Sequence, residues 1–376
     1  MSSTSKPSQP ILILGFGIIG LTSAIRLLQA RYHVVAAGAH QPGDPLTAIY
    51  ASTAAGAHHL SFAADDDLRQ QALDKRTFDV MWEEEAEEGE ASALMKLRQV
   101  EFYGSEGVKH IKFYESMPDF RVYPQDELMP FAKHSVSFTS LTMDTSPYLA
   151  KLVKIFYNLG GTIHRATLAS LRDALEFTKP QTPLAIINCT GLGSLKLGDV
   201  MDDEMYPIRG QVVVLDAPWI KEGRTKQMGD LAGGEGGDRT YIIPRCSGQV
   251  IIGGTREVDD WYTLAPAMEE NYDAAPETSL DIKKRALEIY PELVPPHLRV
   301  EGRAPVPEDL DSIVIREVVG FRPARKSGLR LERGKDLEID SASIPVFHNI
   351  GHSGAGWQAS WGCAEEIVRL VDQVTT

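Results

Sequence analysis

The chain has 376 residues, 43% of them apolar and 24% charged, with 32 glycines and 22 prolines. That composition excludes a disordered chain, a collagen and a long coiled coil. Lys plus Arg number 38 against 52 Asp plus Glu, a formal charge of -14, so the chain repels a phosphate backbone and no nucleic acid is expected as a partner. Cys189, Cys246 and Cys363 stand far apart with no metal-ligand spacing, so no metal site is expected and a reduced, intracellular setting is the simplest reading.

In chain order, the Ser/Pro/Lys-rich first nine residues read as a loose lead-in. Ile11-Leu12-Ile13-Leu14 is a short apolar run that reads as a buried parallel strand. Leu21, Ala24, Ile25 and Leu28 then recur at helical spacing, and Tyr32 to Ala37 reads as the next strand. Ile11 to Leu28 is mostly apolar, but Gly15, Gly17, Gly20 and Arg26 interrupt it and no cleavage site follows, so neither a membrane span nor a secretion signal is expected. The pattern predicts a helix over 75–98, whose run Glu83-Glu84-Glu85-Ala86-Glu87-Glu88 reads as a solvated face, because consecutive positions point in different directions. Residues 100–145 are mixed. Pro147 to Leu159 reads as a helix stopped by Gly160-Gly161. Leu184 to Cys189, Gln211 to Leu215 and Gln249 to Ile252 read as strands, and Gly229 to Gly237, with five glycines in nine positions, as a flexible loop that could form a lid. Ser279 to Ile289 reads as a helix ending before Pro291, Val346 to Ile350 as a last strand and Ala359 to Val371 as a last helix. No internal repeat is present.

Two glycine-rich turns carry the chemistry. Gly15-x-Gly17-x-x-Gly20 follows a strand and opens a helix. The first glycine permits a tight turn, the second lets backbone approach a pyrophosphate, the third lets helix and strand pack closely, and the helix N-terminus offers unpaired N–H groups to phosphate. An acid is expected at the end of the second strand to hold an adenine ribose, yet Val35-Ala36-Ala37-Gly38-Ala39-His40 has none before Asp44. The ribose would then be held by backbone, by His40 or by water. The other turn is His348-Asn349-Ile350-Gly351-His352-Ser353-Gly354-Ala355-Gly356-Trp357-Gln358, followed by Gly362-Cys363-Ala364. Such a strand–turn–helix either brings backbone against a flat ring, with the helix start near Gln358 stabilising negative charge on it, or serves packing alone.

The terminal turn resembles the signature of the D-amino acid oxidase family, which includes the D-aspartate oxidases, at His348, Asn349, Gly351, Ser353, Gly354, Gly356, Gly362 and Ala364. It departs from that signature at Phe347 and Ile350. Further blocks look like the family: the first glycine motif followed by Ala54-Ala55-Gly56, Asn188-Cys189-Thr190-Gly191, Tyr206-Pro207-Ile208-Arg209-Gly210-Gln211, Tyr241-Ile242-Ile243-Pro244-Arg245, Gly253-Gly254-Thr255-Arg256 and Gly320-Phe321-Arg322-Pro323. They fall in order along nearly the whole chain.

The resemblance implies an α/β fold with a Rossmann-like FAD-binding domain, discontinuous over 10–60, 146–200 and 310–376, and an α+β substrate domain built on a mixed sheet over 61–145 and 201–309. It implies FAD as cofactor, held by Gly15, Gly17, Ile18, Ile19, Gly20, Ser52, Thr53, Ala55, Gly56, Thr190, Gly191, Gly351, Ser353, Gly354, Ala355, Gly356, Trp357 and Gln358. The reaction it implies is oxidative deamination of a small D-amino acid. The α-hydrogen leaves as hydride, dioxygen accepts the electrons to give hydrogen peroxide, and the imino acid hydrolyses to a 2-oxo acid and ammonia. By resemblance Arg322 and Tyr241 hold the α-carboxylate; a planar guanidinium suits that role because it makes two parallel hydrogen bonds to a carboxylate. Gly354 lies near the flavin ring. Arg256 stands where broad-specificity oxidases often carry an uncharged residue and the D-aspartate oxidases carry arginine. It either faces a substrate β-carboxylate, where two unit charges about 4 Å apart attract by about 4 kcal/mol before desolvation, or pairs with Glu257, Asp259 or Asp260. His58 either donates to the distal carboxylate or is a polar wall residue. The alternative activity is broad oxidation of neutral D-amino acids. The family is commonly peroxisomal and often ends in Ser-Lys-Leu, whereas this chain ends Gln373-Val374-Thr375-Thr376, so peroxisome and cytosol both stay open. A homo-oligomer is neither indicated nor excluded.

Overall fold

The computed structural model describes residues 8–229, 238–258, 273–340 and 342–375. Strands in chain order are β1 (Ile11–Leu14), β2 (Val34–Gly38), β3 (Leu94–Tyr103), β4 (Arg121–Val122), β5 (His134–Met143), β6 (Thr162–Arg165), β7 (Ala185–Asn188), β8 (Met205–Asp216), β9 (Gly223–Met228), β10 (Asp238–Pro244), β11 (Gln249–Gly253), β12 (Glu257–Val258), β13 (Val314–Arg325), β14 (Arg330–Arg333), β15 (Leu337–Ile339), β16 (Ala342–Ile344) and β17 (Val346–Ile350). Helices are α1 (Ile18–Gln29), α2 (Ala51–Ala54), α3 (Leu68–Glu88), α4 (Thr145–Asn158), α5 (Leu171–Ala174), α6 (Pro276–Ile289) and α7 (Gly356–Thr375). The chain folds as two units, one of Met1–Thr53, Ser146–Ile208 and Arg322–Thr376, the other of Ala54–Thr145 and Arg209–Phe321.

The first unit holds a six-stranded sheet in the order β14-β17-β7-β1-β2-β6. Its inner pairs, β17–β7, β7–β1, β1–β2 and β2–β6, are parallel, and β14 closes one edge antiparallel to β17. A strand covered on both faces must be apolar throughout, and every residue of β1 is fully buried. Leu12 and Leu14 pack with Ile186, Val346, Leu171 and Leu197 in one cluster. Helices α1 and α7 lie against each other: the Thr22 hydroxyl donates to Ser360 O (3.3 Å), Arg26 pairs with Glu365 (3.0 Å), and the Arg26 guanidinium lies 4.6 Å from the centre of the Trp361 ring.

The second unit is built on a nine-stranded mixed sheet, ordered β12-β8-β11-β10-β9-β3-β5-β4 with β13 also paired to β8. Successive side chains in a strand point to opposite faces, and here the two faces differ in kind. Ile242, Ile252, Val213, Leu215 and Val250 form a core with Ile282, Ala286, Leu287 and Ile289 of α6. On the other face the cross-strand register lines up Gly253, Tyr241, Thr225 and Glu101 in one row.

The predicted helix over 75–98 differs from the structure. The helix starts earlier, at Leu68, capped by the Asp67 side chain accepting from Gln70 N, and ends at Glu88. Gly89 and Ala93 take positive φ (57° and 61°), and Leu94–Tyr103 turns into a strand paired along its full length with β5. The acidic run is mainly solvated, with Glu85 reaching Lys96 (2.6 Å). Residues 230–237 of the expected glycine-rich loop lie outside the described residues, as do Asp259 and Asp260. Among the described residues no helix is long and apolar enough to cross a membrane.

Candidate active site

In the first unit, Gly15 has φ 92°, and a Cβ there would lie 2.4 Å from Cys189 O. A Cβ on Gly20 would lie 1.9 Å from Gly15 O, so the turn between β1 and α1 closes only on glycine. Helix α1 opens on Gly17 with no side-chain cap of its own and no acid in its first turn. Nothing on α1 itself therefore competes with an anion for its N-terminal N–H groups. Ser52 ties two helix starts together. Its hydroxyl accepts from Ile18 N (3.0 Å), and its carbonyl accepts from Trp357 Nε1 (3.1 Å). A Cβ on Gly356, the first residue of α7, would meet Ile19 Cδ1 at 3.9 Å, so the N-termini of α1 and α7 converge. These residues fit a dinucleotide: a helix start with no acid in its first turn for the phosphates, and glycines that leave room for close backbone approach.

The end of β2 has a different answer to the missing acid. Arg165, the register partner of Gly38, holds both oxygens of Asp44 (2.7 Å each) and donates to Ala39 O (3.1 Å). The guanidinium, with Gln41 N, holds the Asp44 carboxyl at about 2. His40 stacks on Tyr50 (5.9 Å between ring centres), and the Tyr50 hydroxyl donates to Phe16 O (2.7 Å) inside the first glycine turn.

The Thr190-Gly191 segment is shaped by Asn188, whose Oδ1 accepts from Thr190 N (3.1 Å) and Thr190 Oγ1 (2.8 Å). Gly191 has φ 55° and lies against Pro323. Ser353 N donates to Pro323 O (2.9 Å), which docks the terminal turn on the residue after Arg322. Ser353 and Gly351 both take positive φ (49° and 86°). A Cβ on Gly354 would meet Arg322 Cδ at 3.7 Å, so the Arg322 side chain runs beside the turn. The strand end that carries Arg322 is anchored by buried Asp202, which accepts from Arg325 (3.1 Å) and Arg330 (2.8 Å). Burial opposes ionisation of Asp202, but the two guanidiniums outweigh it and its carboxyl sits below the usual range.

In the second unit, Arg245 was recognised in the sequence only as part of a block. It is buried and donates to Ala55 O (2.9 Å) and Gly56 O (2.7 Å), and it faces Asp144 at 3.7 Å. Burial pushes the Arg245 guanidinium down to about 10. This clamp fixes the approach to His58. His59 turns toward α3, its Nε2 meeting Asp74 O (2.8 Å) and its ring lying 5.1 Å from Phe78. His58 alternates to the other side, with its ring centre 6.2 Å from that of Tyr241. Burial, then the charge of Arg239, holds His58 well below the usual imidazole range, so it is neutral.

The Tyr241 ring lies on glycine: a Cβ on Gly253 would be 2.7 Å from the ring, and one on Gly254 would be 2.3 Å from the hydroxyl oxygen. Beyond those glycines the Thr255 hydroxyl accepts from Gln211 N (2.9 Å) and donates to Glu257 (2.6 Å), while Arg209 donates to both oxygens of Glu257 (3.0 Å). Gln211 in turn donates to Ser279 on α6 (2.8 Å). Thr255 and Glu257 are thus tied to Gln211 and Arg209, and Arg256 stands between them in the segment that joins β11 to β12. Arg239 and Glu101 belong to the Tyr241 face, and sequence reading missed both. Arg239 lies two residues before Tyr241, a spacing that in a strand means a shared face. Glu101 is 138 positions away from it, and no local signal joins them.

Two outcomes follow. Gly20→Val puts a branched side chain against the Gly15 carbonyl, and the purified variant is expected to lose bound flavin; visible flavin absorbance equal to the parent protein would contradict the turn geometry. Buried His348 and His352 are each pushed down to about 4, by desolvation first, from an ordinary 6.5. Below pH 6.5 the unfolded chain takes up their protons and the folded one does not. The stability from the neutral rings is thus present above pH 6.5 and is lost as pH falls toward 4. His352→Gln is expected to flatten the fall of the thermal midpoint between pH 7 and 5, whereas curves parallel to the parent's would show that His352 titrates normally.

The sequence matches the FAD dependent oxidoreductase family, DAO, over residues 10–370. It is 45% identical to a D-aspartate oxidase of Cryptococcus neoformans var. grubii, covering 100% of each chain, and 34% identical to a D-amino-acid oxidase of Fusarium vanettenii, covering 98% of each. Among solved structures it resembles a glycine oxidase from Geobacillus kaustophilus in fold, with a TM-score of 0.69 and 16% identity over 97% of this chain and 95% of that one. The glycine turns, the paired helix starts and these full-length matches agree, and the chain belongs to the DAO family of FAD-dependent oxidoreductases.

Proposed function

We propose that this flavin oxidase deaminates D-amino acids with an acidic side chain, D-aspartate foremost. FAD, when bound, supplies the two-electron acceptor and passes the pair to dioxygen as hydrogen peroxide. The chain's own work is to bind and orient. In this reading Arg322 takes the substrate α-carboxylate in a two-point hydrogen bond, Tyr241 donates its hydroxyl to the same group, and Arg256 takes the side-chain carboxylate. His58 is a neutral donor beside that end of the substrate. Gly354 lies beside the Arg322 side chain, where a Cβ would stand 3.7 Å from Cδ. Fixing both carboxylates leaves the Cα–H bond as the part of the substrate free to point at the acceptor, which lowers the barrier through orientation rather than through acid–base exchange. The imino acid product needs only water to give the 2-oxo acid and ammonia. A peroxisomal setting suits a reaction that releases peroxide.

The observation that carries the acidic preference is an arginine at position 256 next to Glu257, whose carboxylate already accepts from Arg209 and Thr255. Full-length similarity to a protein named D-aspartate oxidase supports it. The test is a substrate panel of D-aspartate, D-asparagine and D-alanine with peroxide readout. Arg256→Met is expected to lower kcat/KM for D-aspartate on the order of a hundredfold, a loss of about 2–3 kcal/mol, and to lower that for D-alanine far less. A parent protein that prefers D-alanine by a wide margin would replace this reading with broad oxidation of neutral D-amino acids.

A further inference from the structure

The polar face of the larger sheet holds a cation that the assignments above leave unused. Arg239 and Tyr241 are two residues apart in β10 and share a face. The cross-strand row Tyr241, Thr225, Glu101 brings the Glu101 carboxylate to that face, where it meets the Arg239 guanidinium at 3.3 Å. The Glu101 side chain is 1% exposed and that of Arg239 12%. Glu101 also accepts from Gln99 Nε2 (2.7 Å), which is shared with Thr225 (2.9 Å). The guanidinium carbon lies 4.5 Å from the centre of the Phe62 ring. A guanidinium has five N–H donors. Among the described residues its Nε is buried without an acceptor, and its carboxylate partner is already shared. An anion arriving on this face would find a cation held rigidly between a ring and a carboxylate, with donors to spare. His58, within reach of the Arg239 charge, lies beside Tyr241 on the same face.

We propose that Arg239 reads the side-chain carboxylate of the substrate together with Arg256, and that Glu101 holds it in place for that purpose. The proposal rests on the oxidase reading above and deepens it: the acidic preference is divided between two guanidiniums. A buried cation with donors to spare rewards a second carboxylate and gains nothing from the amide of the same shape, so the informative quantity is the ratio of kcat/KM for D-aspartate to that for D-asparagine.

Removing Arg239 alone would leave Glu101 buried without its cation, which is strongly destabilising. The decisive variant is therefore the double change Glu101→Gln with Arg239→Met, measured beside Glu101→Gln alone, each purified with its flavin. The double variant is expected to lose the preference by about a hundredfold, while Glu101→Gln, which keeps the cation, retains it. A double variant with the parent's ratio would overturn the proposal and show Arg239 to be only the partner of Glu101. Loss of the ratio in Glu101→Gln alone, to the same extent, would overturn it as well, because the pair rather than the cation would then matter. Either failure leaves the oxidase reading intact when the parent prefers D-aspartate; a parent without that preference removes both.

Discussion

Side-chain alternation in one sheet governs most of what the second unit can do. Strand β10 puts Ile242 into the core against α6 and, by the same geometry, Tyr241 and Arg239 on the opposite face. The apolar side supplies the stability, since each fully buried aliphatic side chain is worth about 1.5–3 kcal/mol relative to an exposed one. The polar side carries a cost. A buried ion pair such as Arg239–Glu101 is often no more stabilising than apolar residues of the same volume, so its place beside Tyr241 and His58 is better explained by ligand recognition than by stability. The Tyr241 face is not polar throughout, since Tyr241 also packs against the apolar cluster of Val212, Val214, Ile243, Ile251 and Val318.

The first unit is governed by close approach of backbone. The third glycine of its first motif stands where a methyl would overlap a carbonyl oxygen, and Ser52 joins the start of α1 to that of α7. Two helix N-termini brought together favour negative charge between them. This suits an FAD-dependent family, whose cofactor carries a pyrophosphate between its adenosine and flavin halves and accumulates electrons on the flavin. Asp44, six residues past the end of β2, is fixed by Arg165.

Local patterns were the legible part of the sequence. Continuous apolar runs gave β1, β7 and β17, and glycine spacing marked both turns, because each depends on residues within one strand–turn–helix segment. The predicted helix runs on into residues 94–98, which are strand because they pair with 139–143, and the helix stop before them rests on the backbone conformation of Gly89 and Ala93. Glu257, the neighbour of Arg256, is held by Arg209 from 48 positions earlier, and Arg239 meets Glu101 across three strands. Residue types can be read from a sequence, but which of two faces a strand residue occupies is a property of the register.

At the centre of the proposed function, fixed guanidinium groups select a second carboxylate on a D-amino acid. The most direct measurement mixes the unaltered, flavin-loaded protein with D-aspartate or with D-asparagine in the absence of oxygen and follows the rate at which the yellow colour bleaches at low, equal concentrations. The account predicts bleaching at least about a hundredfold faster with D-aspartate, corresponding to about 2.7 kcal/mol of discrimination. Equal rates for the two, which differ only in the charged group at the distal end, would contradict it.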